Sequence, residues 1–267
     1  MSERSAKPTL ADELAELQAA IRRDASNAKL RVHLFQLLCV MGNWTRALAQ
    51  LQLCGQMDIK ALPMAQTYRE AIRCELFRTE VFAGRRTPQV MGQPPAWIGS
   101  LIDALRHDGD GQFAIAAGLR QKAMDEADPV AFSVDGQAVE WLADADSRLG
   151  PVLEVIANGQ YYWLPLESCK GISIETPVDL RDKVWAAAEV LLPNEGCVPV
   201  LIPARYAGTV EAEGAQGDDL RRGRLTEWRE AADGMWFGLG QRTWTSDVGE
   251  HPIYDTRKIL RVDEAVA

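Results

Sequence analysis

The sequence has no uninterrupted apolar run approaching the roughly 20 residues that a membrane-spanning helix requires. Its first residues carry Glu3, Arg4 and Lys7 with no apolar segment behind them, so neither a membrane span nor a secretory signal is read and a cytoplasmic protein is expected. Cysteine is sparse and unpatterned: Cys39, Cys54, Cys74, Cys169 and Cys197 are five in number, with no CxxC pair. Buried thiols are expected of them, rather than disulfides or zinc ligands. The three histidines, His33, His107 and His251, stand too far apart for metal-ligand spacing. Walker A, HExxH and GxSxG sequences are missing, and Gly238-Leu239-Gly240 lacks the third glycine of a dinucleotide fingerprint because Thr243 stands there. Ser168-Cys169-Lys170 reads as a strand-edge turn. These absences weigh against an enzyme, and no catalytic residue, metal or cofactor is expected.

An excess of basic charge is also lacking. The net charge is -9, and it is unevenly spread: residues 1–128 carry 16 Lys and Arg against 15 Asp and Glu, the remainder 13 against 23. Such a balance argues against a nucleic-acid surface on the second half and leaves room for a basic partner.

What is present is first of all a helical hairpin between Asn27 and Lys60. Leu30, Leu34, Leu37 and Met41 keep one apolar face of a helix, Gly42-Asn43 breaks it, and Trp44, Ala47, Leu48 and Leu51 resume the same period at once. So short a break permits only an antiparallel return, with Trp44 and Leu48 expected in the core. The pattern is tetratricopeptide-like, and such a repeat stacks on its neighbours to leave a groove that suits a peptide. Leu10, Leu14, Leu17 and Ile21 predict a helix before it, with Thr9 and Asp12 as a capping box. Ala65, Tyr68, Ile72 and Leu76 predict the inner face of another after it. Prolines at 88, 94 and 95 make residues 85–95 a linker or crossover. Two further helices are expected up to Ala127, separated by Asp108-Gly109-Asp110-Gly111, with Asp110 as a cap for the second.

After Pro129 the period changes to two. Asp135-Gly136 and Asn158-Gly159 each stand between short alternating runs and predict two hairpins. Residues 172–174, 187–192, 198–202, 235–239 and 258–262 are further strand candidates, and Asp179–Val184 is the one helix expected here. Residues 207–222 are polar and glycine-rich and read as an exposed loop. Six of the eight tryptophans fall in this half, enough to build a small β-rich core. The fold class predicted is therefore α+β in two domains: a tetratricopeptide-like helical superhelix over 1–128, and a β-rich domain with one or two short helices over 129–267.

The densest polar cluster runs from Glu140 to Glu154. Asp144, Asp146 and Glu154 could bind a divalent cation or act as acid and base, which makes a metal-dependent enzyme the alternative reading. No histidine or cysteine joins them, and Arg148 stands ready to neutralise one carboxylate. A structural cluster of Asp144, Asp146, Arg148 and Glu154, with an Asp–Arg brace holding a loop, is the expectation preferred here.

Several ordered runs, WLADADSRLGPVLE (141–154), GQYYWLP (159–165), DLRDKVW (179–185), LIPARY (201–206), LTEW (225–228) and GLGQR (238–242), resemble the ImpE proteins, also called SciE or TagJ. These are accessory components of bacterial type VI secretion. The resemblance covers nearly the whole chain and implies a helical domain of tetratricopeptide type followed by a β-rich domain peculiar to the family. It also implies a cytoplasmic adaptor without catalytic activity that binds the N-terminal helix of the small sheath subunit TssB, with the ATPase ClpV as a further candidate partner. No residue is assigned to partner binding.

Overall fold

The computed structural model describes residues 8–232 and 234–262. Its first half holds six helices: α1 (Leu10–Arg23), α2 (Ala28–Val40), α3 (Trp44–Met57), α4 (Leu62–Phe82), α5 (Ile98–Gly109) and α6 (Phe113–Glu126). The Thr9 hydroxyl accepts the Asp12 N–H at 3.1 Å while the Asp12 carboxylate accepts the Thr9 N–H at 3.0 Å, closing the capping box. Asn27 caps α2, Asn43 caps α3, and Gly42 at φ +71° makes the turn between them. Asp110 does not cap α6: Gln112 holds that position without a side-chain bond, and Gly111 takes the left-handed turn.

Three inner-face expectations change. Ala47, Leu51 and Cys54 form the buried face of α3, so Trp44 and Leu48 lie half-buried on its flank, against the core rather than within it. On α4 the residue 76 position points outward, with Leu76 47% exposed, and the inward face carries Tyr68, Ile72, Glu75 and Arg78. An ionic inner face defeats a reading based on apolar spacing.

The segment expected as linker contributes a strand, β1 (Gln89–Val90). The second half adds β2 (Phe132–Val134), β3 (Gln137–Val139), β4 (Leu142–Asp144), β5 (Val152–Ala157), β6 (Gln160–Pro165), β7 (Gly171–Ile174), β8 (Trp185–Leu191) and β9 (Cys197–Pro203). Then follow a short helix α7 (Gly217–Arg221) and β10 (Thr226–Ala232), β11 (Met235–Gly240), β12 (Thr243–Ser246), β13 (Gly249–Pro252) and β14 (Lys258–Arg261). Nine strands form one sheet in the order β1-β6-β5-β9-β8-β7-β14-β2-β3, antiparallel except where β1 joins β6. β13-β12-β4 and β10-β11 make two smaller sheets. Both predicted hairpins are found, with Asp135 and Gly136, and Asn158 and Gly159, all at positive φ, as a type I′ turn requires. A helical half followed by a strand-rich half is thus the observed architecture.

Residues 179–184 form only a 3-10 turn, Leu180–Lys183, because β8 begins at Trp185 and leaves no length for an α-helix. Residues 207–222 are not a free loop. They hold a 3-10 turn and α7, bury Thr209, Ala212 and Leu220, and are tied back by Arg221, which donates to the Val210 and Ala212 carbonyls at 3.0 and 2.8 Å. Cys197 is exposed, whereas the other four thiols are buried and free.

The two halves share one core. Leu34, Leu37, Leu51 and Ile72 of the helices cluster with Val152, Ile156, Tyr161, Trp163 and Trp185 of the large sheet, which crosses the boundary expected at 128/129. Alternate residues of the same strands, Leu153, Val155, Val190 and Ile202, turn to the opposite face and pack there with Trp244. Trp185 is the centre of the seam: its ring lies 5.7 Å from that of Tyr68 and 6.0 Å from that of Trp44, and its Nε1 donates to Glu75 at 3.0 Å. The concave face of the helical repeat is thereby filled by the chain's own sheet.

Candidate functional site

Asp144 ends β4, and the loop that follows coils around its own carboxylates. The Asp146 N–H donates to Asp144 Oδ1 at 2.9 Å, the Arg148 N–H to Asp146 Oδ1 at 2.9 Å, and the Asp144 N–H to the Gly150 carbonyl at 2.6 Å. Arg148 turns back and grips Asp146 with two nitrogens, Nε at 2.8 Å, while Asp146 Oδ2 also accepts the Gly238 N–H at 2.8 Å. The guanidinium of Arg148 lies between the rings of Phe82 and Phe237, at 4.9 and 4.7 Å. The Asp146 carboxylate is fully buried, and the Arg148 side chain is about nine-tenths buried, 11% of it exposed.

Glu154, on β5, is fully buried on the helix-facing side of the sheet. Arg78 of α4 meets it with Nε at 2.6 Å and Nη2 at 2.9 Å, Arg242 bridges it to Asp144, and the Tyr161 hydroxyl donates to its Oε1. Trp163 Nε1 in turn donates to the Tyr161 oxygen at 2.8 Å. Arg242 has its third contact at the Pro203 carbonyl, 2.8 Å from Nε. Asp144, Asp146, Arg148 and Glu154 are therefore brought into one network, while Glu140 stays exposed outside it.

The network needs arginines that the local sequence does not offer. Arg78 and Arg242 come from 76 and 88 residues away from Glu154. A third, Arg205, is buried at the same seam: it donates to the carbonyls of Val40 at 2.7 Å and Cys39 at 3.3 Å, where α2 ends, and its own carbonyl accepts from Arg78 at 3.0 Å. The runs LIPARY and GLGQR contained Arg205 and Arg242, so the signal lay in the ordered runs rather than in any spacing.

Charge and burial set the protonation of the carboxylates. For Glu154 burial alone would raise the pKa, but Arg78 and Arg242, with hydrogen bonds from Arg78 and Tyr161, hold it down to about 2. Asp144 is pushed up to about 7, by burial first and then by the neighbouring Asp146 and Glu154, against the pull of Arg242.

The arrangement leaves little to react. Each carboxylate is engaged by guanidinium groups or backbone N–H groups, and the cavity beside Glu75, Arg78 and Arg205 has about 30 Å³, room for about one water. Among the described residues no three His, Cys, Asp or Glu side chains converge so as to hold a metal ion. No helix among them is long and apolar enough to cross a membrane.

Comparison with known proteins gives three findings. Residues 136–260 match the family described as ImpE protein. The chain is 49% identical over 251 residues to the type VI secretion system accessory component TagJ of Pseudomonas aeruginosa, covering 94% of this chain and 86% of that protein. A crystal structure of a Vibrio parahaemolyticus protein superposes with a TM-score of 0.85 at 25% identity, covering 96% of this chain and 94% of the other.

Proposed function

The chain belongs to the ImpE family, and from that premise we propose that it serves bacterial type VI secretion as a binding adaptor in the cytoplasm, not as an enzyme. Its primary partner in this reading is the N-terminal helix of the small sheath subunit TssB, with the ATPase ClpV as a second candidate. The observation that carries the non-enzymatic part is the saturation of the acidic cluster: Asp144, Asp146 and Glu154 spend their oxygens on Arg242, Arg148 and Arg78. A buried carboxylate held in this way lacks the open coordination positions that a metal ion needs. The alternative, a metal-dependent enzyme built on the same three carboxylates, gains nothing from their geometry. Their role in this reading is structural, bracing the loop 145–151 against α4 and β11.

The test is a titration of the full chain with purified TssB and, separately, with ClpV. Saturable binding of TssB is expected, and it should be lost when the first helix of TssB is deleted. Failure of the full chain to bind either protein would overturn the adaptor reading.

A further inference from the structure

The groove of the helical repeat is filled in cis, but a second one is open. On the helix-facing side of the large sheet, β5 pairs with β9 only through Ile156 and Leu201. Beyond that pair there is no ladder, and Pro199 has no N–H with which to extend one. The fork so formed is the floor of a cleft of about 870 Å³. On β8, Ala187 and Glu189 alternate onto the same face as Trp185; Trp185 is covered by α2, α3 and α4, whereas Ala187 is half-buried and Glu189 exposed. α4 forms the wall, with Gln66, Glu70 and Arg73 on one stripe at helical spacing. One turn earlier on α4 stands Leu62, 48% exposed, and just before that helix Ile59, 78% exposed; both lie outside the lining of the cleft.

The charges left unpaired in the cleft are of one sign. Glu70 is matched by Arg73 at 2.9 Å. Glu175 and Glu189 are exposed, and no ion pair is formed by either among the described residues. The cross-strand neighbours of Glu189 are Ser173 and Pro199, neither of which carries charge. Small floor residues beside a helical wall leave the profile of a missing helix in a layer that α4 only half covers.

From this geometry we infer that the cleft between α4 and the β8–β9 floor is the docking site for an amphipathic helix of a partner protein, whose basic residues face Glu175 and Glu189. Its apolar side chains, at i, i+3 or i+4, and i+7, cover Ala187, Pro199 and Leu201. The inference rests on the adaptor reading and assigns its surface. Because unpaired carboxylates attract the partner, salt weakens the complex, in contrast to a site on the nearly neutral helical half.

The test uses the full chain and, as probe, a fluorescein-labelled peptide spanning the first helix of TssB from the same bacterium, followed by anisotropy at low salt. Glu175→Lys with Glu189→Lys, both on exposed side chains, should weaken binding about tenfold or more. Ala187→Trp, which fills the floor, should do the same, and exchanging the basic residues of the peptide for glutamate should restore affinity for the double charge reversal. If the parent binds and all variants bind equally well, the cleft is the wrong surface while the adaptor reading stands. If the parent itself does not bind, both fall.

Discussion

Arg242 is the residue on which the buried network depends most. It is fully buried, it alone among the cations of the described residues forms an ion pair with Asp144, and it shares Glu154 with Arg78. Arg242→Ala leaves Asp144 with backbone contact only, whereas Glu154 keeps Arg78 and Tyr161. Removing one member of a buried ion pair costs about 3 to 5 kcal/mol, and with two carboxylates affected the upper end applies. Against a total stability of about 5 to 15 kcal/mol, that is a large fraction of the whole. The loss should depend on pH, and its sign follows from Asp144. Its folded pKa of about 7 lies above the unfolded value of about 3.9, so its contribution favours the fold at low pH and fades as pH rises from about 4 to about 7. Without Arg242 the folded pKa climbs further, and the decline continues above pH 7 at about 1.4 kcal/mol per unit until that value is passed. Glu154 acts in the opposite sense: with its folded pKa held near 2, its contribution is present above the unfolded value of about 4.3 and is lost only below it. Urea denaturation followed by tryptophan fluorescence, at pH 6 and pH 8.5, measures the loss and its growth with pH through Asp144, since Trp163, Trp185 and Trp244 are fully buried. A gap between parent and variant below about 1 kcal/mol, or one that does not widen with pH, would refute the account of the network.

Two other outcomes follow from the same geometry. Trp185→Ala removes the ring that joins the helices to the sheet and strips Glu75 of its indole donor, so a loss of about 3 to 5 kcal/mol is expected, with a single unfolding transition in parent and variant alike; a transition that splits into helical and β-rich steps in the parent would contradict a shared core. Calcium, magnesium or manganese at millimolar concentration should leave the melting temperature unchanged, because the carboxylates are held by arginines, and a shift that grows with metal concentration would revive the metal-dependent enzyme.

The sequence made some of this legible and hid the rest for physical reasons. Helices with an apolar stripe and strands joined by Asp135-Gly136 or Asn158-Gly159 declare themselves through period and turn chemistry. The strands LAD (142–144), TWTS (243–246) and GEHP (249–252) do not, because they are short and polar. On α4 the ionic residues Glu75 and Arg78 occupy inward positions, so apolar spacing selected Leu76 instead. The acidic cluster could be found from Asp144, Asp146, Arg148 and Glu154 alone, yet two of the arginines that close it are distant in sequence, and no local pattern encodes a pairing at that range.

The ions at the seam bear on the cleft as well as on stability. An apolar helix can slide along an apolar sheet at small cost, whereas a guanidinium held between carboxylates at hydrogen-bond distance cannot shift without breaking every bond it makes. Arg78 ties α4 to β5 through Glu154, and to the end of β9 through the Arg205 carbonyl, while Glu75 ties it to β8 through Trp185. Gln66, Glu70 and Arg73, on the same helix one to three turns earlier, are the wall of the cleft, and β8 and β9 are its floor. A displacement of α4 by a single turn, about 5.4 Å, would carry the wall past the floor. The buried charges therefore fix the position of the wall over the floor, and an ionic seam, which adds little to stability over a well-packed apolar one, has a use here: it holds the two sides of a helix-sized opening in register.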